Sequence, residues 1–259
     1  MNAIPQSAPM DWLDERLAFA AQVIAGAGIV AMSHFAWGTT RLFEGDAGGD
    51  AAGVADVEVG RLIAARLGAR FPDDDVLAGE AGRTARADAV WVVEAIDGGH
   101  AFALGLSSWC IAVALVAEGV PELALVLDPS RGELFTARRG RGAWLNGRRI
   151  ACADANQLAG SLVSIGGPDR TADATLLGVL ARLAEAGAMF HRDGSAALSL
   201  CQVAAGRLVG HIEPGAPAGS RIAGLLVVRE AGGRVPPAGE DRIVASAPGV
   251  FDRLDGILG

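Results

Sequence analysis

Lysine is absent from all 259 residues, so every permanently charged basic side chain is an arginine. Thirty acidic residues outnumber the 22 arginines, giving a net charge of −8 and a pI near 5.0. The arginines are scattered except at Arg138-Arg139, Arg141 and Arg148-Arg149, a cluster that follows strand-like segments and reads as a solvated hairpin. With no basic stripe, a nucleic-acid partner is not expected. Cysteine is also scarce. Cys110, Cys152 and Cys201 are odd in number, sit in apolar settings and lack metal-ligand spacing, which argues against a disulfide framework and suits buried thiols in a reducing cytoplasm. Residues 1–9 lack a basic start followed by an apolar run, so no secretory leader is expected. The most hydrophobic stretch, residues 17–32, contains Gly26 and Gly28 and is too short and too rich in Ala and Gly for a membrane span. A core helix is expected there.

What is present describes a folded chain. Half of the residues are hydrophobic (51%) and 20% are charged, a globular balance, and the length allows a substantial core in one large domain or two tightly joined halves. Hydrophobic periodicity predicts helices at 10–34, 54–70, 171–187, 195–205, 219–232 and 249–257. Strands are predicted at 76–78, 89–95, 108–117, 122–128, 133–138, 161–165, 207–212 and 242–246. A Gly/Asp-rich loop at 44–53 reads as a lid or a plain connection. Helices in pairs alternating with strands in runs argue for a layered α+β fold without internal repeats. Its halves would be 1–155 and 156–259, forming one compact unit.

The most informative segment runs from Trp91 to Phe102. An apolar strand ends in two acids, Glu94 and Asp97, and opens into Gly98-Gly99. Neighbouring carboxylates at the end of a buried strand repel each other unless a cation neutralises them, and a hard divalent ion is the economical partner. If a helical turn follows, the glycine amides favour an anion. Cation plus amides suggests phosphate, although an acid-Gly-Gly segment also fits a plain turn.

Further segments fall in an order that resembles the inositol monophosphatase family. Its Asp-Pro-Ile-Asp-Gly-Thr-x-x-Phe motif is matched by Glu94-Ala95-Ile96-Asp97-Gly98-Gly99-His100-Ala101-Phe102, and its Gly-Glu-Glu by Gly79-Glu80-Ala81. The Gly-x-Gly-Ala-x-x-Asn-Gly pattern reappears at residues 140–147, and the Gly-Ser-Ala-Ala-Leu pattern at 194–207, followed by Glu213. The closing Glu-Ala-Gly-Gly survives at 230–233, while the Trp-Asp position reads Gly219-Ser220. The resemblance implies an αβαβα sandwich, a homodimer, Mg²⁺ (or Mn²⁺) as cofactor, and a small anionic or phosphorylated metabolite as substrate. It also implies metal ligands at Glu80, Glu94, the Ile96 carbonyl and Asp97, with Ser220 standing at a further ligand position. Gly98 and Gly99 would receive the phosphate, and Gly194, Ser195, Ala196 and Glu213 the leaving group.

The departures from the family lie at the chemistry. Glu94 replaces an Asp and lengthens the arm, Ser220 removes a carboxylate and reads as a helix cap, and Gly99 replaces the Thr that pairs with Asp56 to activate water. The family's basic residue near the phosphate is missing, with Gly45 about where it would fall. A lone histidine is usually structural or on the surface, yet His100 sits beside the motif where a replacement acid, base or anion donor could act. Two outcomes stay open. One is a metal-dependent phosphatase with weakened machinery, using Asp56, Asp97 and His100 and fewer metals than usual. The other is a diverged member, without hydrolysis or even metal, that binds an anion or partner or catalyses a different reaction.

Overall fold

Strand β3 (Cys110–Ala117) sets the layering, because alternate residues along a strand face opposite sides. Ile111, Val113 and Leu115 face one side, and the smaller Cys110, Ala112 and Ala114 face the other; each set is buried in a different core. The large side chains meet helices α1 (Trp12–Phe43) and α2 (Ala51–Arg70). The small ones leave room for α5 (Ala196–Ala204) and α6 (Ile222–Glu230). The computed structural model describes residues 11–43, 51–78, 87–167, 174–214, 221–237 and 242–259.

β3 belongs to a seven-stranded sheet in sequential order: β1 (Asp75–Ala78), β2 (Ala89–Asp97), β3, β4 (Val120–Asp128), β5 (Glu133–Arg138), β6 (Gly142–Leu145) and β7 (Arg148–Ile150). Only β1 and β2 run parallel; every later pair is antiparallel. The four-stranded sheet is ordered β11 (Ile243–Ser246), β10 (Gly210–Glu213), β8 (Leu162–Ile165) and β9 (Met189–His191). A third core joins it to α4 (Ala174–Glu185) and α7 (Phe251–Leu258). The layers are therefore α1/α2, large sheet, α5/α6, small sheet, α4/α7, the αβαβα order that the resemblance implies.

Helices α5 and α6 pack closely in the middle layer. A Cβ on Gly224 would lie 2.7 Å from a Leu200 methyl and 2.8 Å from its Cβ, so only glycine lets α6 approach α5 this far. The β6–β7 hairpin turns at Asn146 (φ 48°) and Gly147 (φ 76°), two left-handed residues as a tight two-residue hairpin requires, with Arg148 and Arg149 exposed as expected. Cys110, Cys152 and Cys201 are free thiols, the first and last fully buried.

Some boundaries differ from expectation. α1 does not stop at 34 but continues to Phe43; the extension contains no proline, and one glycine does not end a helix. α2 begins at Ala51, inside the predicted 44–53 loop, whose residues 44–50, including Gly45, lie outside the described residues. β10 starts at Gly210 rather than 207, after Arg207 and Leu208 close α5 with turn hydrogen bonds to Gln202. α1 is long and apolar enough to cross a membrane by length and composition, yet Ile24, Ala27 and Ala31 are fully buried in the core it forms with the large sheet.

Candidate functional site

In a regular strand Glu94 and Asp97, three residues apart, would face opposite sides. β2 avoids this with a bulge: Glu94 pairs with Ala112 and Asp97 with Cys110, three steps on β2 against two on β3. The extra residue puts both acids on the face shared by Ala112 and Cys110, toward α5 and α6. The Ile96 amide inside the bulge is satisfied by Asp56 of α2, whose Oδ1 accepts from it at 3.1 Å. Asp56 thus reaches the strand end, where it holds the bulge that aims the two acids.

The turn after the bulge requires glycine at one position only. Gly98 has φ 91°, and a Cβ there would sit 2.5 Å from the Ser108 carbonyl oxygen and 3.1 Å from Ser195 Cβ. A Cβ on Gly99 would meet only Ala52 Cβ at 4.0 Å, ordinary contact. α3 (Gly99–Ala103) follows, anchored by Phe102 against Trp109 and Phe35. His100, on this helix, is exposed and makes no side-chain hydrogen bond or ion pair among the described residues.

Asp97 ties the end of β2 to the start of α5. Its Oδ2 accepts from the Ser195 hydroxyl at 2.6 Å and from the Ala197 amide at 2.8 Å, while the Cys110 thiol lies 3.8 Å away. Ser195 is buried and also caps α5, its Oγ accepting from Leu198 N at 3.2 Å. Its hydroxyl is therefore directed at Asp97 and the helix. Burial raises the Asp97 carboxyl above its ordinary range despite those donors, and it raises Asp56 as well. Glu94 is pushed up to about 7, by burial first and then by repulsion from Asp97 and Asp56.

The facing wall has the opposite balance. Glu213, at the end of β10, is 1% exposed and is forked by Arg221: Nε donates to Oε2 at 2.6 Å and Nη2 donates to Oε1. His211 Nε2 approaches Oε2 to 3.6 Å, beyond hydrogen-bond reach, while its Nδ1 pairs with Ser164 Oγ at 2.8 Å. Burial alone would raise Glu213, but His211 and the Arg221 fork more than offset it and hold the carboxyl at about 2. Glu213 lines a recess of about 30 Å³ with Gly194, Ser195, Ala196, His211 and Arg192, so the expected leaving-group residues do converge. A larger cavity of about 560 Å³ lies elsewhere, between α6, β11 and α7; its charged lining includes the ion-paired Arg234, Arg242 and Asp255.

Glu80 and Ser220 lie outside the described residues. The N-cap of α6 is Arg221, without a side-chain cap bond, and the expected capping role of Ser220 lies outside the described residues. Among the described residues no three His, Cys, Asp or Glu side chains are arranged to hold a metal ion. The donors that remain, Glu94, Asp97 and the Ile96 carbonyl, are hard oxygens, and burial raises both the Glu94 and the Asp97 carboxyl. Oxygen donors of this kind are the type that a magnesium-like ion takes. The residue missed in the sequence is Arg221; its only signal was an arginine eight positions after Glu213 at a helix start.

A sequence model of the inositol monophosphatase family matches residues 12–253. Nus factor SuhB of Xylella fastidiosa is 39% identical over 189 residues, which is 72% of this chain and 68% of that protein. The chain spans 63–68% of the length of such SuhB relatives. Among solved structures, the extragenic suppressor protein suhB of Bartonella henselae superposes with a TM-score of 0.83 at 26% identity, covering 94% of this chain and 99% of that one. An inositol monophosphatase from Anabaena (Nostoc) gives 0.79 at 26% identity, covering 95% and 96%.

Proposed function

Because the chain belongs to the inositol monophosphatase family, whose members generally use Mg²⁺, we propose that it is a divalent-metal-dependent, phosphatase-like protein acting on a small phosphorylated metabolite. Its hydrolytic machinery is weaker than the family pattern. The observation that carries this reading is the bulge in β2, which turns Glu94 and Asp97 to one face and is held there by Asp56. A strand would not concentrate desolvated carboxylates in this way without a cation to receive.

Glu80, Glu94, the Ile96 carbonyl and Asp97 would hold Mg²⁺ (or Mn²⁺), in reduced number. When bound, such an ion lowers the pKa of water and offsets charge on a phosphoryl oxygen. The protein's own residues then do the positioning. Ser195 and the Ala197 amide orient Asp97. The Gly98-Gly99 turn presents backbone to the phosphate. Gly194, Ser195, Ala196 and Glu213, which line one small recess, are the residues that the family resemblance turns toward the leaving alcohol. Gly99 supplies no hydroxyl to orient the attacking water, which leaves Asp56 and His100 as the groups near the motif able to take a proton. Since positioning and electrostatics supply most of phosphoryl-transfer catalysis, the loss of that hydroxyl and of a carboxylate at position 220 predicts slow turnover. The protein is read as cytoplasmic and homodimeric, without nucleic-acid or membrane partners.

The same two losses favour a second reading, in which the cleft binds an anion or a protein partner without hydrolysis or catalyses a different reaction; several relatives carry the name Nus factor rather than that of an enzyme. The deciding experiment is phosphate release from a panel of phosphorylated polyols and sugars in Mg²⁺ or Mn²⁺, beside calorimetric titration of either ion. Release that disappears in Glu94→Gln/Asp97→Asn supports the phosphatase; no release and no metal binding at millimolar concentration would sink it.

A further inference from the structure

We propose that His211 determines the substrate class taken by the small recess: its Nε2–H donates to a hydroxyl oxygen of the esterified alcohol, so that the protein favours phosphate esters of polyols over esters of plain alcohols. The proposal rests on the phosphatase reading, which makes the recess beside Asp97 the place of the alcohol.

The imidazole is fixed at one nitrogen and unmet at the other. His211 is 1% exposed on β10, its Nδ1 lies 2.8 Å from the Ser164 hydroxyl of β8, and a Cβ on Gly166 would come within 3.0 Å of its Cε1. Its Nε2 is buried and makes no hydrogen bond among the described residues. Glu213 Oε2 stands 3.6 Å off and already accepts from Arg221 Nε at 2.6 Å. A ring nitrogen that faces a carboxylate oxygen carries the proton, because a bare lone pair there would be repelled. In the neutral ring Ser164 then donates to Nδ1, and in either charge state Nε2 is a buried N–H without an acceptor. Buried donors ordinarily find a partner, and one left over beside a recess points to an oxygen that arrives there.

The recess tells what brings that oxygen. Its volume of about 30 Å³ is room for a water or a hydroxyl rather than for a phosphate. Its lining carries two carboxylates, Glu213 and Asp193, against one arginine, Arg192, surroundings that suit a neutral hydroxyl better than an anion. Ser195, on the same lining, donates to Asp97 at 2.6 Å, so the recess adjoins the β2 acids through a hydrogen bond. An ester whose phosphate lies at those acids has its alcohol next to the recess, and a hydroxyl on that alcohol is the group that can reach Nε2. A site that binds a substrate hydroxyl rejects the analogue lacking it, because its own polar group is then left unpaired.

The test compares phosphate release in Mg²⁺ from pairs of esters that share a carbon skeleton: glycerol 2-phosphate with isopropyl phosphate, and myo-inositol 1-phosphate with cyclohexyl phosphate. Wild type should favour the hydroxylated member of a pair through a lower KM. His211→Phe should shrink that preference about 3- to 10-fold, the range of one hydrogen bond, and His211→Gln, which keeps a donor near the Nε2 position, should restore it. Because His211→Phe leaves the Ser164 hydroxyl unpaired, Ser164→Ala/His211→Phe repeats the measurement without it. Release with no preference in wild type, or with one that His211→Phe leaves unchanged because both members lose activity equally, would overturn the proposal and leave the phosphatase reading standing. If wild type releases no phosphate, that reading falls, and calorimetric titration of the same esters into wild type and His211→Phe decides here. Tighter binding of the hydroxylated members that depends on His211 supports the proposal; equal binding overturns it.

Discussion

The two walls of the cleft hold carboxylates by opposite means. On the β2 wall Glu94, Asp97 and Asp56 are crowded by a bulge and desolvated, and their carboxyls rise. On the β10 wall Glu213 is buried too, yet its carboxyl falls, because His211 beside it and the Arg221 fork outweigh burial. Burial alone therefore does not decide the state of an acid here; the presence of a local cation does. The β2 wall is arranged for a charge that comes from outside, and the β10 wall carries its own.

The largest effect should come from removing the acid that joins the walls. Asp97→Asn takes away the shared ligand and leaves the Ser195 and Ala197 donors facing an amide. Any phosphate release should drop on the order of 10²–10³-fold, with Mg²⁺ binding lost in calorimetry; unchanged release would mean that the β2 wall does not hold the reaction. Next comes the backbone beneath it. Gly98→Ala puts a Cβ against the Ser108 carbonyl at a left-handed φ, and should cost about 2–4 kcal/mol in chemical denaturation. Gly99→Ala, one residue on, meets only Ala52 and should stay within about 0.5 kcal/mol. That openness makes a smaller, constructive prediction possible. At Gly99 a Cβ meets no clash, and Gly99→Thr combined with Ser220→Asp should raise phosphate release about tenfold if the β2 wall is a weakened phosphatase. No gain, with the fold intact by circular dichroism, would favour the non-hydrolytic reading.

How much of this was legible in the sequence follows from the range of each interaction. A layered α+β packing was legible in the order of apolar helices and strands, which rests on local periodicity, whereas the αβαβα order came with the family resemblance. The motif end of β2 was legible as chemistry, but not the bulge that makes it work, since nothing local in Ala95-Ile96 reveals that Glu94 and Asp97 share a face. β9 was missed because three half-exposed residues carry no period. The helix runs on past the predicted end at 34 to Phe43, through Gly38. Arg221 was invisible as a site residue for a different reason. Its partner is eight positions away on another element, and an arginine at a helix start resembles any surface cation until the fork on Glu213 is seen. Ser195 and Glu213 were named through family resemblance, whereas the capping and the linkage to Asp97 emerge only from the packing of α5 beneath β2.

The smallest effect separates the walls by pH. In metal-free protein Glu94 titrates near 7 folded and near its ordinary 4.5 unfolded. Between those values the folded state holds a proton that the unfolded state has released, so stability falls as pH rises from about 4.5 to 7 and is level above. Asp97 and Asp56, raised in the same sense, add to the slope. Allowing for solvent screening at a partly exposed carboxyl, the Glu94 share is roughly 1–2 kcal/mol, or about 2–4 °C of melting temperature per kcal/mol. Glu213 contributes with the opposite sign: held at about 2, it stabilises the fold above pH 4.5, and that contribution is lost as pH falls toward 2. Thermal melts in chelator should thus decline on both sides of about pH 4.5. Glu94→Gln should flatten the neutral limb and leave the acid limb, Glu213→Gln should do the reverse, and Mg²⁺ should raise the melting temperature most where Glu94 is ionised, at pH 7 and above. A neutral limb unchanged by Glu94→Gln would mean that the β2 wall is not short of positive charge, and the contrast between the walls would fail.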